Sequence, residues 1–312
     1  MEPFLYFPLS LLLLMYGANL LVIATENFSI KYNISGFIAS FLFIGIATSS
    51  PEIFLAIFSG LSNESEIAIG NAIGSNIANI ALVFAISLIM ITKKAYLYSK
   101  DLPINYFLIL FSLTILVFIT IIDGRFNQNE SILFLISFLI VIYFLKKSKK
   151  DNQMSKESFD KKRKIEYIWF WMIVGLILLL VGTELFLYSS LIIAKFIGIS
   201  EYVIGLSLAA IGTSLPELAA SIQSVRKNHV DYVIGNVLGS NIFNISLVMG
   251  LSGIIHPAVI ESDAILIDWI VLFVTTILFY AIITTDTGRN HKLIGFSLLI
   301  LFGIYQISLY GA

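Results

Sequence analysis

A stretch of 36 residues occurs twice in this chain, and this internal repeat limits the fold more than any other feature of the sequence. Residues 45–80 align with residues 210–245 at a constant offset of 165 positions, without a gap, and the two copies are identical at 17 positions. The identities concentrate at polar residues. Each copy carries a Thr-Ser-x-Pro-Glu motif, followed by a Gly-Asn-x-x-Gly-Ser-Asn-x-x-Asn motif. The chain therefore consists of two related halves.

The repeated polar motifs lie in a very apolar chain. Of its 312 residues, 58% are hydrophobic and 12% are charged, and the mean hydropathy is +0.94. About a quarter of the residues are charged in an ordinary soluble domain. The composition predicts a polytopic membrane protein and gives no reason to expect a nucleic-acid partner. The absence of cysteine excludes disulfides, zinc-thiolate sites and cysteine nucleophiles.

Ten stretches are apolar and long enough to cross a bilayer as helices, for which about 20 residues are needed. Five of them precede residues 146–166 and five follow, so the second half enters the membrane from the opposite side. The first stretch lacks a basic start and a small-residue cleavage site, which indicates a membrane helix rather than a signal peptide. The ten stretches are residues 4–25, 34–61, 67–92, 103–122, 131–145, 167–194, 201–225, 230–255, 264–283 and 292–309.

The predicted fold is therefore an all-α polytopic membrane protein of ten transmembrane helices, arranged as two inverted-topology repeats of five. The repeats are residues 1–145 and 167–312, joined by a basic cytoplasmic linker at 146–166. With the N-terminus outside, 17 of the 19 Lys and Arg residues fall in inward-facing loops. Positive loops stay in the cytoplasm, so we expect both termini to be extracellular. The working expectation is a monomer in the cell membrane.

Each first motif places a carboxylate beside a predicted break in a helix. Glu52 lies four residues after Thr48, so on a continuous helix the two side chains share a face. Pro51 has no N–H and its ring clashes with the preceding turn, which predicts a kink or break at this point in helices 2 and 7. Backbone carbonyls around Gly45 to Thr48 would then be released from the helical ladder. Non-helical backbone at membrane depth is tolerated only where it is buried or lines a cavity. The same argument applies to residues 210–217.

The second motif predicts a polar stripe on the following helix. Its polar residues recur at every fourth position, and the glycines beside them allow helices to pack closely. The stripe residues are Asn71, Ser75 and Asn79 in the first copy and Asn236, Ser240 and Asn244 in the second.

Two symmetric glutamates at membrane depth are the strongest functional signal. An ionised side chain there costs about 2.5–3.5 kcal/mol on insertion scales, and neither copy has a Lys, Arg or His at membrane depth. Taken singly, the other polar and small residues have ordinary structural explanations. Ser and Thr often donate to a preceding backbone carbonyl, Pro kinks a helix, and Gly allows close packing. If the inverted halves face each other, however, Glu52 and Glu217 join hydroxyl, carboxamide and carbonyl oxygens, the hard ligands that Ca²⁺ prefers. Binding between inverted repeats is typical of secondary transporters.

The paired motifs also resemble a known family. ATSSPE (residues 47–52) and GTSLPE (212–217), followed by GNAIGSNIANI (70–80) and GNVLGSNIFNI (235–245), are similar to the two α-repeats of the calcium/cation antiporter superfamily, in particular its prokaryotic sodium/calcium exchangers. The resemblance covers essentially the whole chain. It implies a transporter rather than an enzyme, without a cofactor, that exchanges several Na⁺ for one Ca²⁺ and is therefore electrogenic.

The resemblance also implies ligands for both ions. It assigns Ca²⁺ to Glu52 and Glu217 with the oxygens of Thr48 and Thr213. It assigns the flanking Na⁺ sites to the hydroxyls of Ser49, Ser75, Ser214 and Ser240 and the carbonyls of Gly45 and Ala210. Asn79 and Asn244 would line the centre of the site.

Two departures from the wider superfamily bear on the coupling ion. Potassium-dependent exchangers carry Asp at the position of Asn244, and both copies here have Asn, which argues against K⁺ dependence. Proton-coupled exchangers carry Glu-His where both copies here have Ser-Asn, which argues against H⁺ coupling. A further difference, Gly-Ile-Ala-Thr-Ser-Ser at residues 45–50 in place of the usual Ala-Ile-Gly-Thr-Ser-Leu, changes no side-chain ligand.

The residues alone leave other functions open. A Ca²⁺/H⁺ antiporter, or one for another divalent cation, would use a similar site. A cation channel is disfavoured because no pore-lining ring of acidic residues is visible, and an intramembrane enzyme because no nucleophile and base form a pair. In an antiporter, spans one and six are expected to slide as the gate, since they are the least polar of each half.

Overall fold

The computed structural model describes residues 2–91, 104–148, 166–196, 212–260, 262–285 and 290–309, and these residues are almost entirely helical. The helices of the first half are α1 (Glu2–Tyr32), α2 (Gly36–Ala39), α3 (Gly45–Thr48), α4 (Ser50–Leu61), α5 (Ser65–Ala78), α6 (Ala85–Met90), α7 (Asn105–Ile121) and α8 (Gln128–Ser148). The helices of the second half are α9 (Ile168–Phe196), α10 (Leu215–Arg226), α11 (Val230–Phe243), α12 (Gly250–Ile255), α13 (Ser262–Thr284) and α14 (His291–Leu309).

Among the residues that the structure describes, three wide, π-helical turns join pairs of these helices into longer segments. Ser40–Ile44 joins α2 to α3, Asn79–Phe84 joins α5 to α6, and Asn244–Met249 joins α11 to α12. Turns of this kind occur mostly as single interruptions of α-helices, often at functional sites. They were not predicted from the sequence, although two of them begin at the last asparagine of the second motif.

The structure confirms that the protein is a helical, multi-span membrane protein. The described residues include only part of the ten predicted spans. Within the described ranges, seven helices are long and apolar enough to cross a membrane, or eight if the bent pair 36–48 and 50–61 is one span. The helix α7 is apolar but shorter, at 17 residues. The predicted span 201–225 begins outside the described residues, and only its second part, α10, is seen.

One small feature departs from the all-α prediction. The two-residue strands β1 (Arg125–Phe126) and β2 (Ala258–Val259) pair antiparallel, with Arg125 opposite Val259. Because β1 precedes α8 and β2 follows α12, this short ladder ties a loop of the first half to a loop of the second.

The two segments that carry the second motif form the centre of the molecule. Of the most apolar window in each candidate span, 72% is buried for Ser65–Met90 and 78% for Val230–Ile255, against 22% for His291–Leu309. The π-helical turn of each central segment packs against the helix of the other, α5 on 244–249 and α11 on 79–84. The polar stripes are thereby enclosed, while outer helices such as α14 expose large apolar side chains, as lipid contact requires.

The helices α1 and α9 pack against each other along most of their length through small residues. A Cβ atom on Gly175 would lie 2.9 Å from the carbonyl oxygen of Gly17, and one on Gly182 would lie 2.9 Å from the backbone nitrogen of Leu14. Such contacts let two backbones approach closely and gain van der Waals contact where lipid gives no hydrophobic drive. The pair therefore behaves as one packed unit.

We expect Gly175→Ala to lower the midpoint of thermal unfolding in detergent, because its Cβ collides with the backbone of α1 and overpacking typically costs about 1–3 kcal/mol. Gly303→Ala is the matched control, since Gly303 also lies in an apolar helix but has no atom within 4 Å of the position its Cβ would take. Equal unfolding midpoints for the two variants would contradict the close packing of α1 and α9.

Candidate functional site

The first Thr-Ser-x-Pro-Glu motif breaks its helix, as predicted. The helix α3 ends at Thr48, Ser49 forms the turn, and α4 begins at Ser50, with an angle of 44° across the break. Pro51 lies in the first turn of α4, where a missing N–H costs no helical hydrogen bond. Glu52 lies in the same turn and is completely buried.

The second motif has the same local structure in its described part. Ser214 forms the turn, α10 begins at Leu215 with Pro216 in its first turn, and Glu217 is completely buried. The helix preceding this turn is described only from residue 212. The predicted carbonyl ligand of Ala210 therefore lies outside the described residues.

The prediction that the break frees the carbonyl of Gly45 is wrong. This oxygen accepts the N–H of Ser49 at 3.1 Å and lies 3.4 Å from the hydroxyl oxygen of Ser240. The break falls at Ser49, so the helical ladder still reaches that residue.

The two carboxylates interact electrostatically, and each faces hydroxyls from both halves of the chain. Thr48 was predicted to share a face with Glu52, but its hydroxyl faces Glu217, because the bend turns α4 away from the axis of α3. The hydroxyls that face Glu52 belong to Ser75 and Thr213, and those that face Glu217 belong to Thr48, Ser49 and Ser240.

None of the four carboxylate oxygens makes a hydrogen bond of good geometry, although Glu52 and Glu217 are both fully buried. The buried hydroxyls of Ser49 and Ser214 likewise make no hydrogen bond of good geometry. Within the described ranges, no Lys, Arg or His lies at ion-pair distance from either carboxylate. Unpaired buried carboxylates are strongly unfavourable, so this arrangement is suited to a cation that enters as substrate.

The donor set has the chemistry of a site for a hard cation. No third Asp, Glu, His or Cys in the described part of the chain lies close enough to complete a cluster. The remaining ligands must then be neutral oxygens of hydroxyls and carboxamides, a mixture that Ca²⁺ accepts in its flexible coordination sphere. Two carboxylates also match the charge of one divalent ion.

Each threonine of a first motif contacts the second motif of the opposite half. The hydroxyl of Thr48 lies 3.2 Å from Asn236 Oδ1 and 3.3 Å from Ser240 Oγ. The hydroxyl of Thr213 lies 3.1 Å from Ser75 Oγ and 3.4 Å from Asn71 Oδ1. These contacts fix the positions of the two broken helices relative to the central segments.

No role beyond the polar stripe was predicted for Asn71 and Asn236. Asn236 is fully buried, and its amide donates to the carbonyl of Glu217 at 3.2 Å and to Ser221 Oγ at 3.0 Å. It therefore holds the first turn of α10. The sequence offered one signal for this role, namely that both copies of the motif have asparagine at this position.

The two second motifs meet through their asparagines. Asn76 donates its amide to the carbonyl of Asn241 at 3.0 Å, and Asn241 donates to the carbonyl of Asn76 at 3.3 Å. Asn79 donates to Asn241 Oδ1 at 3.1 Å, whereas the amide of Asn244 has no hydrogen-bond partner. All four residues are fully buried. The central segments are thus joined at their crossing, beside the predicted ligands Asn79 and Asn244.

A cleft of about 1080 Å³ reaches the site from the side of the loop between α4 and α5. Its walls are largely apolar and include Phe58 of α4 and Leu187 of α9. Its polar lining includes Asn71, Ser75 and Thr213, which belong to the site. The cleft therefore reaches the site at the face formed by these three residues.

The glycines of the second motif differ sharply between the halves. Gly235 and Gly239 pack tightly on the segment 36–44, where a Cβ on Gly239 would lie 2.6 Å from the carbonyl oxygen of Phe41. Gly70 and Gly74 line the cleft, and a Cβ added to either would have no atom within 4 Å. The prediction of close helix approach is confirmed for the second pair and wrong for the first, because the cleft separates the helices there.

The chain has no cysteine, so single cysteines test this asymmetry without background. We expect Ile67→Cys to react readily with a hydrophilic maleimide, because Ile67 lines the cleft and is 48% exposed. Tyr232→Cys, at the equivalent position of the second half, should react far more slowly, because Tyr232 is 0% exposed. Equal labelling rates would contradict a site that is open on one face and closed on the other.

Comparison with known proteins gives consistent matches over the whole chain. A family model described as "Sodium/calcium exchanger protein" matches residues 2–147 and 167–311. A putative antiporter, CaxA, from Alkalimonas amylolytica is 31% identical over 97% of each chain. The inner membrane protein YrbG of Escherichia coli is 28% identical and covers 86% of this chain and 85% of its own. The structure of the sodium/calcium exchanger from Methanococcus jannaschii superposes with a TM-score of 0.77 at 29% identity, covering 97% of this chain and 96% of that one.

Proposed function

This chain belongs to the sodium/calcium exchanger family, and we propose that the cation antiport typical of that family is here an electrogenic, K⁺-independent exchange of Na⁺ for Ca²⁺ across the cell membrane. The observation that carries the proposal is the pair of fully buried carboxylates, Glu52 and Glu217, whose four oxygens make no hydrogen bond of good geometry. One Ca²⁺ compensates both charges. Several Na⁺ ions, held also by the neutral oxygens around them, do the same in turn.

The proposed topology has ten spans in two inverted repeats, residues 1–145 and 167–312, with both termini outside and the linker 146–166 inside. The family model supports this division because it matches the two halves as separate segments. The cleft lies on the side of the loop between α4 and α5, which this topology places outside the cell. The described arrangement is then open to the extracellular side. An inner-membrane relative supports placement in the cell membrane.

Charge compensation also accounts for obligatory exchange. The site can cross from one side to the other only when a cation neutralises Glu52 and Glu217, because carrying uncompensated charges through an occluded, dry state is very costly. Ligands shift the balance between the two open states only through their different affinity for each. The proposed moving part is the α1–α9 pair, which packs as a unit and whose α9 lines the cleft.

Glu52→Gln and Glu217→Gln should each reduce Na⁺-gradient-driven uptake of radiolabelled Ca²⁺ into liposomes by tenfold or more, because a loss of about 1.4 kcal/mol in binding already corresponds to tenfold in affinity. Glu64→Gln is the matched control, since Glu64 is exposed in the loop after α4. Its uptake should equal that of the wild type. Wild-type uptake in either Glu52→Gln or Glu217→Gln would exclude that residue from the site.

Gradients of single ions test the coupling. An outwardly directed Na⁺ gradient should drive Ca²⁺ uptake, and the uptake should generate a membrane potential because the exchanged charges are unequal. Gradients of K⁺ or H⁺ alone should drive none. Uptake driven by a pH gradient without Na⁺ would indicate a Ca²⁺/H⁺ antiporter instead, and ion current without any counter-ion would indicate a channel.

A further inference from the structure

The crossing of the two second motifs contains a directed chain of carboxamides. Asn241 donates its Nδ2 to the backbone carbonyl of Asn76. A carbonyl can only accept, so this bond determines which end of the Asn241 amide is nitrogen and leaves Oδ1 at the other end. Asn79 donates its Nδ2 to that oxygen at 3.1 Å. The orientation of Asn79 is thereby determined as well.

The consequence lies at the end of this chain. With its Nδ2 committed to Asn241, Asn79 keeps an Oδ1 that is buried and has no hydrogen-bond partner. Asn79 lies one helical turn after Ser75, whose hydroxyl faces the carboxylate of Glu52. A buried carboxamide oxygen that has no hydrogen-bond partner and is held in a fixed direction, one helical turn from a residue that faces the carboxylate, is what a hard cation can use as a ligand.

The equivalent chain in the other direction is incomplete. Asn76 donates its Nδ2 to the carbonyl of Asn241, which leaves Asn76 Oδ1 free to accept from Asn244. That bond is not made, since Asn76 Oδ1 and both polar atoms of the Asn244 amide have no partner. The two central asparagines are therefore inequivalent, although their motifs are identical. Asn79 is oriented by a neighbour and Asn244 is not.

We propose that Asn241 is a positioning residue that orients the carboxamide oxygen of Asn79 toward the transported cation. The inference rests on the proposed function, because it takes Asn79 to be a ligand of the ion. Asn241 itself does not touch the ion. It acts in the way that outer hydrogen-bond partners hold the ligands of metal sites in a productive orientation.

Asn76 provides a matched control. Asn241→Ala and Asn76→Ala each remove one amide from the same helix crossing, and with it one side-chain hydrogen bond to a carbonyl that keeps a backbone N–H donor. Both variants should lower the midpoint of thermal unfolding, and Asn241→Ala should lower it somewhat further because the buried Nδ2 of Asn79 loses its acceptor. Only Asn241→Ala also releases Asn79.

The test is a double-mutant cycle on Ca²⁺ binding and transport. Equilibrium binding of radiolabelled Ca²⁺ in detergent and Na⁺-driven uptake in liposomes are measured for the wild type, Asn241→Ala, Asn79→Ala, the double variant and Asn76→Ala. Loss of an outer partner typically weakens metal binding by about tenfold or more, so Asn241→Ala should raise the Kd and the KM by about tenfold while uptake at saturating Ca²⁺ changes little. Asn76→Ala should change both constants less than about twofold, the range of ordinary context effects.

The double variant decides the mechanism. If Asn241 acts through Asn79, removing Asn241 in the Asn79→Ala background should weaken binding no further, so the two effects are not additive. Additive effects, or equal weakening by Asn241→Ala and Asn76→Ala, would overturn the positioning role. Unchanged binding in Asn79→Ala would overturn it as well. Intact Ca²⁺ binding without Na⁺-driven uptake in the wild type would instead overturn the proposed exchange while leaving the positioning role in place.

Discussion

The structure depends on one electrostatic constraint, the presence of two buried carboxylates whose charge no described residue compensates. Glu52 and Glu217 are fully enclosed and interact with each other. No described basic group pairs with them, and their oxygens make no hydrogen bond of good geometry. A purely structural role would be expected to provide such partners, because buried polar groups are almost always paired. Burying two unpaired carboxylates destabilises the fold, which is consistent with a site that binds a cation.

The surrounding structure follows from the need to bring the two carboxylates together inside an apolar protein. Proline and serine break the helices so that each glutamate lies in a first turn, at the end of a helix rather than along its side. The hydroxyls of Thr48 and Thr213 then connect each broken helix to the central segment of the opposite half by side-chain hydrogen bonds. Because the contacts cross between halves, neither half contains a complete site.

The two halves share their motifs and differ in their surroundings. Gly239 packs on the backbone of Phe41, whereas its equivalent, Gly74, faces the cleft. Asn79 is held by Asn241, whereas its equivalent, Asn244, has no partner. The two halves therefore hold the same motifs in different surroundings.

The sequence by itself determined the membrane-spanning helical class, the positions of the two helix breaks and the acidic residues at the centre. These follow from hydropathy, from the missing N–H of Pro51 and Pro216, and from the cost of placing a glutamate among apolar residues, all of which act locally. Only the tertiary structure decided that Thr48 faces Glu217, that the carbonyl of Gly45 stays in its helix, and that one pair of motif glycines packs while the other lines a cleft. Those outcomes depend on how one half is placed against the other, and identical motifs carry no information about a difference between their surroundings.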